Sequence, residues 1–409
     1  MRLTVFIRFL RVRTLGISIL SHVTQQMLHI FVTALLRWGF LAARRKCSTT
    51  CISVEYGACS TKHFTVEYGE HMIERHSSLA HSAYHDLLRS LQDDAVSEIR
   101  GTPTRIDRNG RAYWYDSYRV GSDVRKRYIG EDSEDLRGRI EAHKTLKAAT
   151  DARRKNRTRL VRLLRAEGFL SLDASNGSLL SALAASGVFR LGGTIVGTQA
   201  FRLYEGELGL RMGVDMAAHT DDIDIASFTR LSLALEDVAA PPLAQVFKDL
   251  SFTPQPSLEK NKTWRWKQSH GDTLVEFLTP SFEDNEGVQS LGALGVDAQS
   301  LHHLNFLIAE PIKAAVIYRS GVLVQIPQPE RFAIHKLIVA DRRRKSSDAL
   351  KSEKDRRQAA MLIKVLKEDR PDELKDALED AHSRGPKWRD RITASLDRMP
   401  ETAKQLADL

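Results

Sequence analysis

The run DIDIA at residues 222–226 constrains this chain more than any other stretch. Two aspartates alternate with two isoleucines, and alternation at period two marks a strand with one buried face. On such a strand Asp222 and Asp224 point to one side, Ile223 and Ile225 to the other. About fifty residues on, DTLVEFLTP (272–280) sets Glu276 between Val275 and Phe277 in the same way. Carboxylates gathered on a partly enclosed face need a cationic partner, because like charges in a cleft are costly.

A third piece precedes both. VFRLGGTIVG (188–197) is an apolar run bounded by glycine and reads as a buried strand. QAFRLYEGELG then reads as a helix entered straight from Gly197-Thr198. A glycine there lets backbone N–H groups and the Thr198 hydroxyl approach a triphosphate, with the helix N-terminus adding positive potential. In this order the three pieces suit phosphoryl or nucleotidyl transfer from an NTP. Asp222, Asp224 and Glu276 are the expected metal ligands. Magnesium suits oxygen-only ligation, and a pair of ions can stabilise both the attacking and the leaving oxygen. Glu276 is expected on the metal nearest the attacking hydroxyl. Asp-x-Asp alone is common; the weight rests on the ordered set. His219 and Asp221 adjoin the pair, but Asp221 points to the opposite strand face and is not expected to ligate.

The rest of the chain reads as follows. Residues 72–99 form a helix. A three-stranded meander covers 104–129, its first turn marked by Asn109-Gly110 and its second by Gly121-Ser122. Tyr113, Trp114, Tyr115, Tyr118 and Tyr128 interleave there with Arg111, Arg119, Arg125, Lys126 and Arg127. That is either a base-stacking, phosphate-neutralising surface or a small sheet packed on a neighbouring helix; packing is the favoured reading. Residues 131–167 read as one or two polar helices rich in arginine, either a solvated face or a nucleic-acid stripe. A short helix covers 177–186 and a strand GVLVQIP (321–327). PERFAIHKLIVADRRR opens a helical region that runs to the end, with a second helix over 354–368. Trp264 and Trp266 are read as packing residues. His302, His303 and His335 show no metal spacing, and no phosphate-binding loop of the GxxxxGK type or dinucleotide fingerprint is present.

The 409 residues carry a formal net charge of +9, of which +6 falls in residues 1–71. The basic balance of the remainder is therefore weak support for a nucleic-acid partner. Cys47, Cys51 and Cys59 all lie in that first segment, so the rest needs no disulfide or thiolate metal site, as expected of a cytoplasmic protein. LHIFVTALLRWGFLAA (28–43) falls short of the roughly 20 apolar residues of a span and contains Arg37. Residues 1–71 read as an over-called gene start, with a disordered leader or a targeting segment as alternatives. No membrane association is expected after residue 71.

LGGTIVGTQAFRLYEG, TDDIDIA, VEFLTP and PERFAIHKLIVADRR together resemble bacterial AbiEii-type nucleotidyltransferases of the DNA polymerase β-like superfamily. AYWYDSYRVG and RKRYIGEDS extend the resemblance upstream, so that it covers roughly Met72 to the end. It implies an α+β fold: a mixed sheet with flanking helices, preceded by a meander and long helix, followed by a helical C-terminal domain. The corresponding bounds are 72–170, 171–330 and 331–409. It also implies NTP and Mg2+ use, with an RNA or tRNA end, a protein side chain or a small molecule as acceptor, and a toxin or phage-defence setting with a partner antitoxin. A lysine and a carboxylate from the helical half matter in those relatives. Lys336 is the candidate phosphate-binding lysine here, and Lys354 with Asp355 are further candidates, or else an ordinary exposed helix face. The chain departs from the superfamily pattern in having Gly197-Thr198 for Gly-Ser or Gly-Gly, a longer gap before Asp222, and Glu276 for an aspartate. A nucleic-acid-binding protein that keeps the fold without turnover is the alternative function.

Overall fold

The computed structural model describes residues 74–99, 101–108, 110–120, 123–212, 222–229, 237–344 and 349–409. The three cysteines, the apolar run at 28–43, His219, Asp221, Asn109 and the Gly121-Ser122 turn lie outside them.

Helix α1 (Ser78–Ser97) begins where the Ser77 hydroxyl accepts a hydrogen bond from the Ala80 N–H at 3.2 Å. It buries Ala80, Ala83, Tyr84, Leu87 and Leu91 along one side. The meander follows as β1 (Thr102–Arg108), β2 (Arg111–Val120) and β3 (Asp123–Glu131), antiparallel in that order. Gly110 turns the first hairpin at φ +78°. Four of the five aromatics of this sheet, Tyr113, Trp114, Tyr115 and Tyr128, serve packing. Tyr115 and Tyr128 are buried in the main core, while Trp114 and Ile129 close over Val96, Ile99 and Ile140. The sheet is pinned through β3: Arg190 Nη1 donates to the Tyr128 carbonyl at 2.7 Å, and the Tyr128 N–H donates to Asp237 at 2.8 Å.

The polar stretch at 131–167 is three helices: α2 (Glu134–Glu141), α3 (His143–Ala148) and α4 (Thr150–Ala166). The breaks at Ala142 and Ala149 allow the segment to fold back along α1. There Arg139 pairs with Asp93, and Arg153 pairs with Asp94 at 2.8 Å.

Helix α5 (Ala174–Ser186) ends at Gly187, φ +92°. The expected strand from Val188 is much shorter than the apolar run: only β4 (Thr194–Val196) is extended. Gly187 and Gly192, both at φ +92°, coil the chain between them. Val188, Phe189 and Leu191 spend their apolar surface on the core rather than on a ladder. Helix α6 (Gly197–Leu208) follows at once. Then come β5 (Asp222–Ala226), α7 (Leu243–Asp249), β6 (Phe252–Pro254), β7 (Arg265–Gln268), β8 (Leu274–Pro280), β9 (Val288–Leu291) and β10 (Val296–Leu301). The mixed sheet runs β4-β5-β8-β10-β9, with β5, β8 and β10 mutually parallel. β8 shares one edge between two strands: β7 pairs with Leu274–Glu276 and β10 with Leu278–Pro280. Trp266 fills the space below, stacked on Phe247 at 4.7 Å and edge-on to Phe277. After α8 (Leu304–Leu307), β11 (Ile312–Val316) and β12 (Val322–Ile326) form a separate hairpin.

The C-terminal region is α9 (Pro329–Arg343), α10 (Ala349–Asp369), α11 (Pro371–Ser383), α12 (Pro386–Leu396) and α13 (Pro400–Ala407). Four of these five helices open on proline, which costs no hydrogen bond at that position. The main core runs from Tyr115 to Leu406. It joins the inward faces of the sheet (Ile223, Ile225, Val275, Phe277) to Phe332, Leu337 and Ile363 of the helices. Among the described residues no helix is long and apolar enough to cross a membrane.

Candidate active site

Strand β5 alternates as its sequence requires. Ile223 and Ile225 are fully buried, Asp222 is exposed and Asp224 is partly buried on the other face. The parallel register with β8 sets Asp222 beside Leu274 and Asp224 beside Glu276. Neighbouring strands are about 4.8 Å apart, so the second pair of acids shares one patch of sheet. On the other side of β5, Val196 is the register partner of Asp224. The chain leaves Val196 through Gly197 and turns directly into α6.

Gly197 has φ +66°, and a Cβ built on it would lie 2.3 Å from Asp224 Oδ2. The glycine therefore does two things: it adopts a backbone conformation side chains resist, and it leaves the space the Asp224 carboxylate occupies. Thr198 begins the helix beside it, its hydroxyl accepting from Lys354 Nζ at 3.2 Å. Lys354 and Asp355 are thus not an ordinary exposed face. Asp355 is only 2% exposed and accepts from Lys336 Nζ at 2.6 Å and Arg343 Nη1 at 2.7 Å. Lys336 is 8% exposed and stands over the Phe332 ring. One carboxylate of α10 therefore holds two cations of α9 against the acidic face of the sheet. Arg343 escaped the sequence reading, although it lies seven residues after Lys336, two turns along the same helix face.

Burial and mutual repulsion of the acids set the electrostatics of this patch, opposed by Lys336, Arg343, Arg265 and Lys351. Burial, then Glu276, then Asp222 push Asp224 up to about 7, against a downward pull from Lys336 and Arg343. Burial also raises Glu276, opposed by Arg265, whose Nη1 is 3.8 Å away. Arg265 in turn lies over the Trp264 ring at 4.4 Å. Burial lowers Lys336, and Asp355 draws it back.

Between the sheet and α9 lies a cavity of about 320 Å³. Gly197, Asp224, Lys336 and Arg343 line its polar end; Leu278, Leu304, Phe332 and Val339 line its apolar wall. His335 also faces it and is held neutral, well below the ordinary histidine range, by burial and then by His303 and Lys336. His302 is a satisfied histidine, between Glu286 at 2.8 Å and the Glu283 carbonyl at 2.9 Å.

Asp222, Asp224 and Glu276 offer only oxygen donors, the set magnesium takes. Their burial and then their mutual repulsion, felt in the raised Asp224 and Glu276, are what a divalent cation would offset. The side chains do not form a closed cage: among the described residues no three His, Cys, Asp or Glu groups surround a metal-sized point. A magnesium site needs none, since water and substrate phosphates complete its shell.

A family model described as nucleotidyltransferase matches residues 174–383, just over half of the chain. The chain belongs to this nucleotidyltransferase family. The match begins with the first residue of α5 and ends with the last of α11, so it contains β4, β5, β8 and both helices that carry Lys336 and Asp355. A second model, of a domain of unknown function, matches residues 82–138, from α1 through the meander into α2. No curated protein and no solved structure matches the chain. Within the nucleotidyltransferase segment, the acid patch, its glycine and the cavity at their side form the candidate site.

Proposed function

We propose that the protein is a magnesium-dependent nucleotidyltransferase that moves an NMP from an NTP onto a hydroxyl acceptor, with an RNA or tRNA end as the favoured acceptor. The observation that carries this reading is the Gly197–Asp224–Glu276 row, three residues on three adjacent segments with the glycine space filled by a carboxylate oxygen. Asp222 and Asp224, with Glu276, would hold the metal, which when bound draws electron density from the phosphate oxygens and neutralises the acids. The Gly197 and Thr198 N–H groups at the start of α6 face the triphosphate. Lys336, fixed by Asp355, supplies a positive point charge at the same end of the cavity. The apolar wall of Leu278, Leu304, Phe332 and Val339 receives the flat nucleobase and excludes water from the reacting end. Glu276 accepts the acceptor's hydroxyl proton.

The test is transfer of label from each of four α-labelled NTPs in magnesium to total RNA, tRNA and cell extract. Label should reach one acceptor class and vanish in Asp222→Ala and Asp224→Ala. Wild-type protein that transfers nothing, yet binds RNA equally with and without those substitutions, would establish the non-catalytic binder instead. The resemblance to AbiEii-type relatives adds a toxin or phage-defence setting, checked by whether expression arrests growth and a neighbouring gene product relieves it.

A further inference from the structure

The transfer chemistry leaves one built surface unused, the outward face of α4 (Thr150–Ala166). Its inward face is structural. Val161 and Leu164 are buried, and Arg157, 4% exposed, donates to the Ser320 carbonyl at 3.2 Å and pairs with Asp94. Arg153 pairs with the same aspartate. The outward face carries Arg154, Lys155, Arg159, Arg162 and Arg165, all exposed. At 100° per residue these five fall within an arc of about 140°, and they span about 16 Å of helix. None has an ion-pair or hydrogen-bond partner for its side chain among the described residues. That is unusual for this molecule, whose other surface arginines are commonly engaged by acids: Arg75 by Asp369, Arg137 by Asp132, Arg370 by Glu207, Arg384 by Asp380. Asp151, in the first turn, is the one acid on that arc.

We infer that this face docks the phosphodiester backbone of a nucleic acid. Four of the five cations are arginine, whose fork matches phosphate oxygens in pairs. A nucleic-acid strand offers one phosphate per about 3.4 Å of helix axis, so 16 Å faces about five of them, one per cation. An anionic membrane is the competing partner, but an interfacial helix needs an apolar side to insert. Here the residues that share the arc with the cations are Asp151, Thr158 and Ala166, and the apolar side of α4 is already packed against α1. The inference goes beyond the proposed transfer activity, because backbone docking holds whether or not the site turns over.

The experiment is fluorescence anisotropy of the full chain with short RNA duplexes, DNA duplexes of the same sequence and single-stranded RNA, each over a salt series. Five phosphate contacts give a slope of about −4.5 for log affinity against log salt on a duplex, on the order of 500-fold between about 50 and 200 mM. Arg159→Ala/Arg162→Ala should reduce the slope by about 2, and Arg159→Glu/Arg162→Glu should abolish binding, with melting temperature unchanged because both side chains are exposed. Binding of RNA, of DNA or of both supports the inference and identifies the source of the phosphates. Affinity and slope unchanged in the α4 variants would overturn it, as would phosphatidylserine vesicles bound more tightly than either nucleic acid. Asp224→Ala separates the two proposals: it should lose transfer and keep binding. A wild-type chain that binds through α4 but transfers no label would fail the enzyme reading alone.

Discussion

Gly197 and Gly295 share a φ of +66° but differ in what surrounds them, which allows the role of Gly197 to be isolated. A Cβ on Gly295 meets nothing within 4 Å; one on Gly197 meets Asp224 Oδ2 at 2.3 Å. Alanine at either position carries the left-handed backbone cost of about 1–2 kcal/mol, partly offset by about 0.4–1 kcal/mol from the stiffer unfolded chain. Gly295→Ala should therefore lose about 1 kcal/mol by urea denaturation and leave label transfer unaltered. Gly197→Ala adds a collision. An ordinary contact begins near 3.4 Å, so the Asp224 carboxylate must retreat by about 1 Å. The carboxylate is only partly buried and can rotate, so the extra loss of stability should stay under about 1 kcal/mol, within the range of off-rotamer cost. Activity should suffer more, because a displacement of about 1 Å at a reacting centre costs on the order of a hundredfold. The assay is the initial rate of NMP transfer beside the denaturation midpoint for both variants. A Gly197→Ala protein that transfers within about threefold of wild type would refute the claim that this glycine sets the position of Asp224.

Three further outcomes follow from the same contacts. With Asp224 raised to about 7, the folded state holds the proton more tightly than the unfolded chain, so stability falls as pH rises from about 4 to about 7. In chelator, Asp224→Asn should match wild type near pH 4 and exceed it at pH 8 by up to about 4 kcal/mol; equal stability at pH 8 would contradict this. Asp355→Ala leaves Lys336 buried without its carboxylate and should cost about 3–5 kcal/mol in denaturation, while Lys336→Met/Asp355→Leu should recover most of it; no recovery would mean that packing rather than charge is at stake. Gly206→Ala drives a Cβ to 2.2 Å from the Tyr84 ring and should cost about 1–3 kcal/mol, with transfer retained, since Tyr84 is remote in function and holds α1 to β11 through its hydroxyl, which accepts from the Ala315 N–H.

Much of the fold was legible because alternation and turn chemistry agree locally. DIDIA and LVEFLTP alternate as strands do, and their acids fell on one face because side chains on a strand alternate. The meander was equally plain, given Asn109-Gly110. What the sequence could not supply was partnership across distance. VFRL looked like strand because an apolar run does not say whether it serves a ladder or a core, and two glycines at positive φ decided the matter. The breaks at Ala142 and Ala149 leave no local mark; they exist because Arg139 and Arg153 are drawn to Asp93 and Asp94 on α1. Lys354 and Asp355 sat in a charged run indistinguishable from a solvated helix face. Their importance lies in Thr198 and Lys336, which are 156 and 19 residues away.

The acids beside Gly197 are proposed to form the metal and triphosphate site. A crystal structure with manganese, followed by its anomalous signal, and a non-hydrolysable NTP analogue tests this most directly. An anomalous peak is expected in direct coordination with Asp222 and Asp224, with the triphosphate on the Gly197–Thr198 N–H groups and Glu276 turned from Arg265 toward the metal. Nucleotide bound elsewhere, with no metal signal at the β5 carboxylates, would contradict it.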